Sequence, residues 1–199
     1  MRLAVLGDSI AYGVGADHPS HTLAERLRSA LADDGITAET KVFARSGARS
    51  ADLEAQVRRA VGWDPHLAVV VIGANDLTHF VPHGEAAEQL RAAVRALRDR
   101  GVEVVVAPAP DLSMVPHVPP MMRPVVQAGS LALRSAQVRA VVEEGGRVAD
   151  ATASTSSAFG SDRTLFSRDR FHPSSAGYAV IARALVPTVL EAASATRPV

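Results

Sequence analysis

The chain has 199 residues, which fits one domain spanning 1–199, since domains commonly run to roughly 100–200 residues. Apolar residues make up 47% and charged residues 21%, enough for a buried core and against wholesale disorder. Basic and acidic residues number 21 each, so no net field draws a polyanion, and nucleic acid is not expected as the main partner. With no cysteine, a thiolate nucleophile, a thiolate metal site and a disulfide framework are all excluded.

In chain order, short continuous apolar runs alternate with amphipathic stretches, the pattern of parallel strands crossed over by helices. Residues 2–6 (R-L-A-V-L) read as the first strand. Residues 22–33 read as a helix with Leu23, Leu27, Ala30 and Leu31 on one face and Gly35 placed to end it. Residues 40–43 form a second strand. Ser50 is expected to cap the next helix, whose apolar positions Leu53, Val57 and Val61 recur every fourth residue. Residues 67–72 (L-A-V-V-V-I) are apolar throughout and read as a central strand, followed by a helix over 85–100 with Gly101 as its stop and a strand over 102–107.

Beyond Pro108 the pattern loosens. Six prolines and three methionines mark 108–124 as irregular; a helix resumes over 129–144, a short strand follows at 147–149, and 151–170 read as a polar loop. Residues 174–193 form the last helix. The sum is a three-layer α/β/α sandwich with about five parallel strands. No apolar run approaches the roughly 20 residues of a membrane span. Residues 1–7 are too short for the apolar region of a secretory signal, so a soluble, cytoplasmic protein is expected.

In such sheets the ligand site lies beyond the carboxyl ends of the strands, near the point where strand order reverses. Gly7-Asp8-Ser9, Arg45-Ser46-Gly47 and Gly73-Ala74-Asn75-Asp76 each follow a predicted strand, and Asp169-Arg170-Phe171-His172-Pro173 precedes the last helix. Ester cleavage needs a nucleophile, a base that later serves as acid, and donors for the oxyanion. Ser9 supplies the hydroxyl and His172 the imidazole. Asp169 stands three residues before His172, where it can accept from one ring nitrogen and leave the other facing Ser9. The backbone N–H groups of Ser9 and Gly47, with the Asn75 amide, are the candidate oxyanion donors; Asp76 or the Gly73 turn is expected to fix Asn75.

These four blocks, in this order, resemble those of the SGNH hydrolases, also called the GDSL esterase and lipase superfamily. The likeness runs from residue 7 to 173. It implies a flavodoxin-like sandwich and hydrolysis of a small-molecule ester without metal or organic cofactor. Two positions depart from the pattern: the first block reads G-D-S-I, and Arg45 stands two residues before Gly47 where the family has Asn.

Other readings carry less. His79 and His83 are four apart, but Pro82 intervenes and no further ligand completes a metal set. Gly13-Val14-Gly15 lacks the third glycine of a dinucleotide loop. Gly7-x-Ser9-x-Ala11 brushes against the nucleophile elbow of α/β-hydrolases, but that fold places several strands before its serine. His18, His21, His66 and His117 have no assigned role. The Met- and Pro-rich stretch 108–127 reads equally as a mobile cover over an acyl pocket or as a packed connection. The leading expectation is a serine esterase for short or medium acyl chains. Acyl transfer or deacetylation on the same groups is the second, and a non-catalytic binding module on this fold is the third. Oligomeric state is not encoded in any recognisable pattern.

Overall fold

A computed structural model describes residues 1–149 and 152–196. In chain order its elements are β1 (Arg2–Gly7), α1 (Ser9–Tyr12), α2 (Leu23–Asp33), β2 (Glu39–Val42), α3 (Leu53–Val61) and β3 (Leu67–Val71). There follow α4 (Ala74–Thr78), α5 (His83–Arg98), β4 (Glu103–Ala107), α6 (Arg123–Glu143), β5 (Arg147–Val148), α7 (Thr152–Ser161) and α8 (Ser175–Ala195). The strands pair in parallel in the order β2-β1-β3-β4-β5. The chain steps outward from β1 to β2, then returns to β3 on the other side of β1. The switch point therefore lies between β1 and β3.

Period-two alternation sorts the strand residues between two apolar layers. Leu3 and Val5 of β1, Val69 of β3 and Val105 of β4 join Leu23, Leu27 and Leu31 of α2 and Leu185 and Val189 of α8. Ala4 and Leu6, Val70, and Val104 and Val106 face the other way, onto Leu53 and Val57 of α3 and Leu90, Val94 and Leu97 of α5. Every residue of β3 is buried, as its unbroken apolar run requires. Gly35 ends α2 and Gly101 follows α5, both with positive φ, and the next residues bond back five positions, Ile36 to Leu31 and Val102 to Leu97.

The structure departs from the sequence reading in five places. Residues 152–161, expected as loop, form α7. Its Ala-, Ser- and Thr-rich sequence carries no apolar period, and tertiary contacts such as Phe159 packed edge-on against Phe166 hold it. Residue 151, where that loop was expected to begin, lies outside the described residues. Helix α6 starts six residues earlier than expected, because Pro124 sits in its first turn, where a missing N–H costs nothing. Ser50 does not cap α3: it opens a 3₁₀ turn, and its hydroxyl is spent elsewhere. The short helices α1 and α4 fall below the length at which periodicity is visible. Lastly, α8 reaches the length and hydropathy of a membrane span, yet it lies against the sheet with Tyr178, Leu185 and Val189 buried.

Candidate active site

At the end of β1 the backbone turns at Gly7 with φ +128°, and a Cβ there would stand 1.8 Å from the Val71 carbonyl oxygen. Only glycine fits. Asp8 then donates its N–H to Val71 O at 3.0 Å, and its Oδ1 caps α1 by accepting from Ile10 N at 2.9 Å. Burial, with the Asp76 carboxylate nearby and only partial relief from the Ile10 N–H, pushes the Asp8 carboxyl up to about 7. Ser9 is the first residue of α1, so its N–H has no intrahelical acceptor.

Arg45 to Ala48 form a tight turn closed by Ala48 N donating to Arg45 O at 3.1 Å. Its third position is Gly47 at φ +78°, the left-handed place of a type II turn. Among the described residues the Gly47 N–H makes no hydrogen bond.

After β3, Gly73 turns the chain at φ +129° into α4, which carries Asn75 and Asp76. Asn75 Nδ2 donates to Ala48 O at 2.9 Å, so it is anchored to the Gly47 turn. Asp76, expected to fix Asn75, does something else. Fully buried, it accepts from Ser50 N at 3.1 and 3.2 Å and from Ser50 Oγ at 2.9 Å. That bond explains why Ser50 is not a cap, and it ties the segment after Gly47 to α4 a second time.

The fourth block is a loop organised around one carboxylate. Asp169 Oδ1 accepts from Ser167 Oγ, Phe171 N and His172 N at 2.8, 2.8 and 2.9 Å, and Oδ2 accepts from His172 Nδ1 at 2.6 Å. Partial burial pushes this carboxyl up. The His172 ring, the two backbone N–H groups and the Ser167 hydroxyl outweigh that and hold it well below the usual range. With its Nδ1–H donating to Asp169, His172 presents the Nε2 lone pair to Ser9 Oγ at 3.0 Å. His117, without a role in the sequence reading, donates from Nε2 to the Asp169 carbonyl at 2.8 Å.

Ser9 and His172 open onto a pocket walled by Ile10, Leu112, Met114, Phe159 and Phe171, with Asp111, Thr155 and Ser156 as polar members. The structure thus brings Ser9, His172 and Asp169 into one hydrogen-bonded line and links Gly47 to Asn75 through Ala48. A hydroxyl so placed can lose its proton to the imidazole as it attacks, while the carboxylate steadies the cation that forms. The stretch 108–127 supplies part of the wall through Leu112 and Met114, as either a cover or a packed connection would. Sequence reasoning missed Gln56 and Gln137, buried amides behind the site. Their signal was a polar residue on an otherwise apolar helix face.

Comparison with known proteins finds relatives in sequence and in fold. Residues 5–180 match the GDSL-like Lipase/Acylhydrolase family. A GDSL-like esterase of Mycobacterium tuberculosis is 31% identical over 186 residues, covering 92% of this chain; the chain spans 59% of that relative's length. Among solved structures, a lipase/acylhydrolase from Enterococcus faecalis superposes with a TM-score of 0.74 at 22% identity, over 96% of each chain. An acetylxylan esterase from Geobacillus stearothermophilus superposes with a TM-score of 0.77 at 17% identity, over 94% of this chain and 93% of its own. The sheet order, the four blocks and the sequence match lead to one assignment: the chain belongs to the GDSL-like lipase/acylhydrolase family.

Proposed function

We propose that this protein is a serine esterase that hydrolyses carboxylic esters with a short or medium acyl group. The observation that carries the reading is the line from Ser9 Oγ through His172 to Asp169, with contacts of 3.0 and 2.6 Å. Ser9 Oγ attacks the ester carbonyl as His172 Nε2 takes its proton. The tetrahedral oxyanion is received by the Ser9 and Gly47 N–H groups and the Asn75 amide, each such donor contributing about 3–4 kcal/mol to lowering the barrier. His172 then gives the proton to the leaving alcohol, which departs and leaves the acyl group on Ser9. Water, deprotonated by the same imidazole, releases the acid. Asp169 fixes the ring tautomer throughout and stays ionised.

The apolar pocket beside Ser9 supports an acyl chain as its occupant. Deacetylation of a hydroxylated compound is the second reading, favoured by Asp111, Thr155 and Ser156 in the pocket wall and by the likeness to the acetylxylan esterase. Acyl transfer uses the same groups with an alcohol replacing water, and product analysis with alcohols present separates it. The direct test is Ser9→Ala with a series of p-nitrophenyl acyl esters. Turnover should vanish with the fold intact, and the wild type should peak at short to medium chains. Undiminished turnover in the variant would remove the proposal.

A further inference from the structure

The strand–glycine–helix turn that delivers Ser9 occurs a second time. β1, Gly7 and α1 are matched by β3, Gly73 and α4, and the two glycines share nearly the same φ, +128° and +129°. Each turn is held from behind by a buried glutamine. Gln56 of α3 accepts from Gly7 N at 2.7 Å and donates to Gly7 O at 2.9 Å, pairing both backbone groups of the residue two before Ser9. Gln137 of α6 accepts from Ala109 N at 2.7 Å and donates to Ile72 O at 3.3 Å, joining the ends of β3 and β4 just before Gly73.

Gln56 is 2% exposed and Gln137 0%. Their nearest buried helix neighbours are apolar: Leu53, Val57 and Ala60 around the first, Leu133, Ala140 and Val141 around the second, with Ser130 two turns before Gln137. A leucine at either position would avoid burying an amide but would leave the buried Gly7 or Ala109 N–H without its acceptor. Carrying an amide there makes sense only if its bonds matter, because a buried amide without partners costs a few kcal/mol. Each glutamine makes one acceptor and one donor bond to backbone, Gln56 with both groups of the residue that leads into α1 and Gln137 with Ile72 before α4 and Ala109 after β4. Gln137 also lies beside the turn itself, since a Cβ added at Gly73 would stand 3.0 Å from its Nε2.

We propose that Gln56 and Gln137 are a pair of positioning residues for the oxyanion donors. Gln56 sets the peptide leading to the Ser9 N–H, and Gln137 sets the turn leading to the Asn75 amide. Neither touches the ester. The inference rests on the ester-hydrolase reading, and its consequence is that the two residues act on kcat and leave KM alone. Oxyanion donors meet their target only in the transition state, and a sub-ångström tilt of a donor is felt there.

The experiment compares Gln56→Leu, Gln137→Leu, Gln56→Glu and Gln137→Glu with the wild type on p-nitrophenyl butyrate. Fluorophosphonate labelling of Ser9 is followed alongside. Each leucine variant should lose about 10–100-fold in kcat with KM within about twofold, and its labelling rate should fall in parallel. A glutamate, once protonated, keeps one donor and one acceptor. Its activity relative to wild type should therefore rise as pH falls from about 8 to 6, while the ratio for leucine stays flat. A role confined to stability would lower the melting temperature and leave kcat per folded molecule unchanged.

Folded leucine variants with kcat within twofold of wild type would overturn the proposal. If leucine prevents folding, a glutamate-to-wild-type ratio that does not change with pH would do the same. Wild-type protein that fails to label would sink the esterase reading instead.

Discussion

Two regions meet at the candidate site, and they are built on opposite principles. The nucleophile side sits on the buried ends of β1 and β3, where Ser9 is 5% exposed, Asp8 1% and Asp76 0%. Strand register, glycine turns and the amides behind them fix it. The acid–base side is a surface loop in which the Asp169 side chain is 47% exposed. It holds its shape through its own bonds: Ser167 N to His172 O at 2.8 Å, Arg170 N to Ser167 O at 2.9 Å, and four donors on one carboxylate. The difference implies that damage to the glycine turns of the first region is felt first as lost stability, whereas damage to the loop of the second is felt as lost turnover with the fold kept.

Gly7→Ala should have the largest effect. The added methyl would stand 1.8 Å from a backbone oxygen that cannot move without breaking the β1–β3 pairing. Destabilisation beyond about 3–5 kcal/mol is expected, enough to prevent accumulation of folded protein. Gly47→Ala is the control. No atom lies within 4 Å of its added Cβ, so only the left-handed backbone at φ +78° resists, at about 1–2 kcal/mol. Urea unfolding that returns equal losses for the two would break the comparison.

Asp169→Asn tests the other region. The amide keeps an oxygen for the Phe171 and His172 N–H groups but can offer the ring an N–H in place of a carboxylate oxygen, favouring the wrong tautomer. Turnover should fall about 10²–10⁴-fold with KM little changed. Stability should move by less than about 1 kcal/mol, since the side chain is half exposed and its pairing is screened. A large drop in the unfolding midpoint would show that the loop is welded to the core after all.

Asp8→Asn sharpens the stability side. In the folded protein this carboxyl keeps its proton up to about 7, whereas its ordinary value is 3.8. Between those values the unfolded chain has released a proton that the folded one retains, so wild-type stability should fall as pH rises from about 4 to 7. The asparagine still accepts from Ile10 N and has no proton to lose. Its advantage over wild type should therefore grow by about 4 kcal/mol across that window and level off above it. Chemical denaturation at a series of pH values checks this, and parallel curves for the two proteins would contradict it.

What the sequence disclosed follows the same division. β3 was legible as an unbroken apolar run, and the apolar faces of α2, α3 and α5 because burial on one side writes a period into a helix. Ser9, Gly47, Asn75, Asp169 and His172 could be singled out as candidates because chemistry restricts residue type at a strand end or before a helix. α7 was not legible, since its order comes from partners distant in sequence, such as Phe166. The partner of Asp76 was not legible either. Ser50 next to a helix start looks like a cap, and only the approach of α4 reveals that its hydroxyl goes to a carboxylate 26 residues away. Gln56 and Gln137 belong with these: each breaks a local apolar pattern to satisfy backbone elsewhere.

The smallest expected effect lies inside the exposed loop. Arg170 is held at φ +59°, a left-handed conformation that an L side chain enters at a cost of about 1–2 kcal/mol. Its N–H closes the turn onto Ser167, so the strain keeps the Asp169 carboxylate beneath the Phe171 and His172 N–H groups. Arg170→Gly removes the strain and adds freedom to the unfolded chain, which offsets part of the gain. A net stabilisation of about 0.5–1 kcal/mol should result, with kcat within about twofold. If turnover collapsed while the fold stayed intact, the guanidinium itself would be handling substrate, and the loop could no longer be described as held together by its own backbone and one carboxylate.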